Sequence, residues 1–215
     1  RLRVALGERY LAELPHLWDR EPAGAHVRHV YMDIASTLYK ECFCDQLGDW
    51  CRAHGVQYIG HVIEDKDCHA RLGVGAGHYF RAVDGQDMAG VDIVINQLVP
   101  GMDRGLHSYG RGVWDLEFYN YVLPKLGSSA AHLDPKKQGR CMAEVFGAFG
   151  WHEGLREMKW IADHFLVRGV NWFVPHAFSM AAFPDWDCPP HFYAHGMNPQ
   201  FRYFSTFSNY VNRLM

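Results

Sequence analysis

The chain has 215 residues, 48% of them hydrophobic, and a formal net charge of −3. That is enough to build one core of ordinary size without disulfides or a structural metal. Its charges are scattered, leaving no basic stripe for a phosphate backbone, and no apolar run reaches the length of a membrane span, so neither nucleic acid nor a membrane is expected as a partner.

The first residues, RLRVALGERY, lack the charged, apolar and small segments of a signal peptide, and there is no initiator Met. A fragment or a processed chain is therefore expected, with secretion left open. From His26 to Ala53 apolar residues recur at helical spacing (Val30, Ile34, Leu38, Leu47, Trp50), and Gly55 sits where a helix C-cap would. Four runs rich in Val, Ile or Phe then predict strands: VQYIGHVI at 56–63, VDIVI at 91–95, CMAEVF at 141–146 and GVNWFVP at 169–175. Helices are predicted between and after them, over 77–83, 114–126, 152–167 and 199–214. The six cysteines, Cys42, Cys44, Cys51, Cys68, Cys141 and Cys188, form no CxxC pair. Free thiols in a reducing, cytoplasmic compartment are the expectation.

Strands alternating with helices predict a parallel α/β protein. Strands covered on both faces usually form continuous aliphatic runs. These are broken by His61, Asp92 and Glu144, which suits a (β/α)8 TIM-barrel type of fold, where polar residues project from strand ends into a shared mouth. Four βα units are about half of such a barrel, so residues 1–215 are expected to form a single, partial TIM-barrel domain. Its first and last strands would leave open edges prone to self-association.

Placed at one rim, the strand-end groups converge: His61 and Glu64 from the first strand, Asp92 from the second, Glu144 from the third and His176 from the fourth. A carboxylate held rigidly at a strand end suits a nucleophile or general base. Each residue also has a plainer reading. Glu144 could pair with Arg140 on the wall, Glu64 could be one charge of a solvated EDKD loop, Asp92 could cap a turn, and His61 and His176 could be structural. Aromatic and polar residues crowd the same rim, with Trp151 and His152 after Glu144, Asn171 in the fourth strand and Phe178 after His176. Aromatic faces stack on sugar rings while carboxylates and histidines bind hydroxyls. Trp186 and Tyr193, further along, fit a packed loop slightly better.

The segments VRHVYMDIASTLYKECFCDQLGDWCRAHGVQYIGHVIED, SSAAHLDPKKQGRCMAEVFGAFGWHEGLREMKWIADHFLVRGVNWFVPHAF and HFYAHGMNPQFRYF together resemble a family of bacterial (β/α)-barrel glycoside hydrolases, α-L-rhamnosidase-like or β-galactosidase-like. The resemblance covers nearly the whole chain. Its most specific pieces are the acid-ended strand followed by FGAFGW, the GVNWFVPHAF strand, and Gly60, His61 and Glu64 in a GHxxE pattern. It implies a glycosidase whose nucleophile, Glu144, ends the seventh barrel strand and whose acid/base ends the fourth, upstream of Arg1. If Glu64 is instead the acid, both carboxylates lie in this chain. Their separation would be about 5 Å for a retaining enzyme and roughly 6.5–9.5 Å for an inverting one.

The resulting expectation is a glycosidase acting on a carbohydrate substrate, with Glu144 and Glu64 catalytic and His61, Asp92, Trp151, His152, Asn171, His176 and Phe178 binding sugar. No cofactor and no metal are needed. Two rivals remain open: a metal-dependent barrel hydrolase using His61, His176 and a carboxylate as ligands, and a non-catalytic carbohydrate-binding barrel with the same aromatics and histidines.

Overall fold

A computed structural model describes residues 1–62, 75–110 and 112–215, and these divide into two compact units. The first takes residues 1–58 with 75–86, and the second takes residues 59–62 with 87–215.

The first unit is helical. The amphipathic stretch predicted over 26–53 is a helix at Pro22–Tyr39, a π-helical turn at Lys40–Cys44 and a helix at Asp45–Ala53. The turn of π-helix carries the chain through without a break, as such bulges do. Lys40 reaches across it to Asp45 at 2.7 Å and also to Asp84 at 2.8 Å. The predicted 77–83 helix is the single turn Tyr79–Ala82, tied back by the Cys44 thiol donating to the Ala82 carbonyl.

The second unit is built on a sheet of three parallel strands. They are β1 (Ala89–Ile93), β4 (Cys141–Val145) and β5 (Trp172–Pro175), lying side by side in that order. Between β1 and β4 the chain forms an antiparallel hairpin of β2 (Leu106–Tyr109) and β3 (Gly112–Asp115). The helical period starting at Trp114 concealed it. Trp114 lies in β3, packed edge-on against Tyr119, and the helix itself is Leu123–Leu133. The other two helices of this unit are Leu155–Leu166 and Phe204–Asn212, both inside the predicted ranges.

Successive side chains on a strand point to opposite faces, and parallel partners in register share a face. One face carries Val91, Ile93, Cys141, Ala143 and Val145, all fully buried, and the Leu123–Leu133 helix packs on β1 and β4. The other carries Gly90, Asp92, Met142, Glu144, Trp172 and Val174. On that face β5 is open to solvent, with Trp172 50% and Val174 44% exposed. Three of the four predicted strands are thus parallel neighbours in sequence order. Among the described residues the sheet does not close on itself.

The fourth prediction fails for its described part, because residues 56–62 pair into no strand. Residues 59–62 nevertheless lie against β1, with the Gly60 carbonyl oxygen so near Gly90 that a Cβ there would meet it at 1.8 Å. Only glycine allows that approach. Gly90→Ala must displace backbone, and overpacking of this kind costs about 1–3 kcal/mol. A thermal melt of Gly90→Ala should show a clearly lower Tm than the parent; an unchanged Tm would mean that segment 59–62 does not pack there.

Candidate functional site at the C-terminal ends of the strands

The β1–β4–β5 register places Asp92, Glu144 and Val174 in one row. Asp92 and Glu144 therefore leave neighbouring strands on the same face, about 4.8 Å apart at the backbone. His176, two residues past Val174, returns to that face, and His61 reaches it from the segment lying against β1. Glu144 lies between the two histidines. Its Oε2 is 3.1 Å from His61 Nε2 and its Oε1 is 3.3 Å from His176 Nδ1. His61 Nδ1 is 2.8 Å from the Val62 carbonyl oxygen and 4.0 Å from Asp92 Oδ1. Asp92 is only 2% exposed, whereas the Glu144 side chain keeps 30% of its surface open and can meet a ligand.

The hydrogen bond from His61 holds the Glu144 carboxyl below its ordinary pKa; partial burial opposes this, and His176 adds to it. Glu144 is thus a carboxylate at neutral pH, suited to attack or proton abstraction and unsuited to giving a proton. The wall salt bridge with Arg140 is not formed. That guanidinium turns instead to the Lys137 and Asp87 carbonyls at the N-terminal ends of the strands.

The loops behind the rim are held under strain. Ile95 and Asn96 after β1, and Phe146 and Ala148 after β4, all have φ between 52° and 78°, a region that costs non-glycine residues roughly 1–3 kcal/mol each. The two loops hold one another in place. Ile95 N–H donates to the Gly147 carbonyl, the Asn96 amide to the Phe149 carbonyl, and Val94 N–H to the Gln97 side chain. Gly147 also makes room for the histidine, since a Cβ there would stand 2.8 Å from His176 Nδ1.

The remaining predicted residues divide. Trp151 is held edge-on between Phe183 and His191, with centroids at 5.8 and 5.6 Å, and stays partly exposed. His191 in turn lies 3.4 Å from Asp185, which also accepts the Ser179 hydroxyl. His152 lines an open hollow with Pro100, Arg156, Glu157 and Trp160, and none of the residues around Glu144 is on its wall. Phe178 belongs to a phenylalanine cluster with Phe192, Phe201 and Phe204. Asn171 does not join the rim. Its amide bonds Cys141 N–H and the Gly139 carbonyl, at the opposite ends of the strands, because it precedes β5. Glu64 lies outside the described residues. Trp186 and Tyr193 are both exposed, and Tyr193 leans on Phe201.

No group of three His, Cys, Asp or Glu among the described residues is arranged to hold a metal ion. No described helix is long and apolar enough to cross a membrane. Among the described residues, Cys42, Cys44, Cys51, Cys141 and Cys188 are in no disulfide.

One residue near this loop has no signal in the sequence. Glu153 is 5% exposed and, among the described residues, neither carboxyl oxygen has a hydrogen-bond partner. It lines a small pocket with Asn198, Gln200, Phe192, Phe201 and others. In WHEG it resembles an ordinary acid at a helix start, and only burial distinguishes it. That burial, with the nearby Glu157 charge adding to it, pushes its pKa up to about 9. The folded chain therefore keeps a proton that the unfolded chain releases near 4.5. Stability must fall as pH rises between those two values and level off above the higher one. Glu153→Gln removes the titration while keeping the shape. The variant's Tm should exceed the parent's at pH 8 by more than at pH 5, and a pH-independent difference in melting would refute the buried neutral acid.

Comparison with known protein families, with curated proteins and with solved structures gives no match to this chain.

Proposed function

We propose that this chain carries the nucleophile or general-base side of a glycoside hydrolase site, with Glu144 as the reacting carboxylate. One observation carries the reading. Glu144 is an ionised, partly open carboxylate fixed at a strand end by hydrogen bonds to both of its oxygens. A nucleophile that attacks an anomeric carbon must be ionised, rigid and reachable at once. The histidines restrict its rotation, so less entropy is lost on reaching an attacking geometry.

The partner acid is proposed to be Glu64, in keeping with the family resemblance of GHVIED and AEVFGAFGW. His176 would fix a sugar hydroxyl, and Trp151 would offer a partly exposed indole for ring stacking. A barrel of the (β/α)8 type is part of this reading. Its support is that the three strands are parallel neighbours and that the Leu123–Leu133 helix packs on β1 and β4.

Glu144→Gln keeps the shape and removes the charge. On a panel of nitrophenyl glycosides, turnover should fall at least roughly a hundredfold relative to the parent, the lower range for a positioned base, with Tm nearly unchanged. Retained turnover with a lowered Tm would make Glu144 structural. Binding of the same sugars by the parent without turnover would instead support a carbohydrate-binding role.

A further inference from the structure

The hydrogen bonds around His61 fix how many protons its ring holds. Nδ1 faces the Val62 carbonyl at 2.8 Å, and a carbonyl only accepts, so Nδ1 bears a proton. Nε2 faces Glu144 Oε2 at 3.1 Å. A neutral ring would present a lone pair there, against a carboxylate that also only accepts. The proton between them must sit on one of the two, and the surroundings favour the ring. His176 Nδ1 lies 3.3 Å from the other Glu144 oxygen and donates to a carboxylate there. Asp92, almost wholly buried on the next strand, stands 4.0 Å from His61 Nδ1. Two carboxylates in register on one face of a sheet repel unless a cation is placed with them.

We propose that His61 is an imidazolium in the resting site, a positioning residue that holds Glu144 ionised and compensates Asp92, and that loss of its second proton sets the upper pH limit of function. Among the described residues the titratable groups facing it are Asp92 from β1, Glu144 from β4 and, through Glu144, His176 after β5. When His61 loses that proton its Nε2 lone pair meets Glu144 Oε2, and the carboxylate loses the donor that fixes it. The kinetic part of this inference rests on the glycosidase reading; the protonation state does not.

The test is nitrogen NMR of the whole chain labelled in its 14 histidines. The His61 signals are identified as those lost in His61→Gln, or, if that variant does not fold, as those that move most in Glu144→Gln. At pH 7 both ring nitrogens should show the protonated signature. The titration midpoint should lie above the ordinary histidine value of about 6.5. It should drop by about one pH unit or more in Asp92→Asn and again in Glu144→Gln, since each removes a facing negative charge. A neutral ring at pH 7, or a midpoint indifferent to both substitutions, would overturn the proposal; the first result would place the shared proton on Glu144. In the parent, kcat/KM should fall on the alkaline side at the NMR midpoint and shift downward with it in Asp92→Asn. A charged His61 in a protein that turns over no glycoside would remove the glycosidase reading and leave the imidazolium in place.

Discussion

Two carboxylates in register on adjacent parallel strands form the constraint to which the rest of the site responds. Parallel pairing of Asp92 with Glu144 leaves no freedom to separate them, because shifting either strand by one residue would turn its side chain to the buried apolar face. The repulsion has to be relieved locally, by a cation or by a proton. The chain uses histidines that come from outside the two strands, His61 from the segment lying against β1 and His176 from the end of β5. The Gly60 and Gly90 approach brings the first close enough, and the absence of a side chain at Gly147 makes room for the second.

Histidine suits this task better than the more common arginine. A guanidinium beside Glu144 would form a bidentate pair of fixed charge, giving the carboxylate its lowest energy in the resting state and blunting it as a nucleophile. An imidazole makes one hydrogen bond per nitrogen, holds the oxygen in place and can change its charge within the pH range of the cell. With one histidine on each oxygen, the carboxylate is oriented from both sides and still keeps part of its surface open.

A mixture of helix and sheet, three parallel strands and the position of Glu144 were legible because they rest on local signals: β-branched runs, bounding glycines and one acid in an otherwise apolar strand. Asn171 was misplaced for want of one boundary. Whether a residue near a strand belongs to its N-terminal or C-terminal end depends on where pairing begins, and β5 begins at Trp172. The β2–β3 hairpin was hidden because Trp114, Leu116 and Tyr119 fit a helical period as well as they fit a strand followed by a turn. The lone segment 56–62 has strand-like composition, yet composition does not supply a pairing partner. Glu153 could not be found at all, since a carboxyl is recognised as unusual only once its neighbours are known to be apolar.

The strained residues after β1 and β4 explain how a short sheet can hold its site still. Left-handed backbone at Ile95, Asn96, Phe146 and Ala148 is unfavourable in isolation, and each loop supplies the hydrogen bonds that keep the other in that shape. Ala148 and Gly150 N–H groups are also taken up, by the Cys188 and Pro189 carbonyls of the later loop that carries His191. That loop packs Phe183 and His191 against Trp151. The rim is therefore a single interlocked set, in which the loop that follows Glu144 is fixed by the loop that follows Asp92 on one side and by the loop that follows His176 on the other. Rigidity at Glu144 then does not depend on the few residues of β4 alone. A polar residue can end a buried strand here because three loops share the strain of holding it.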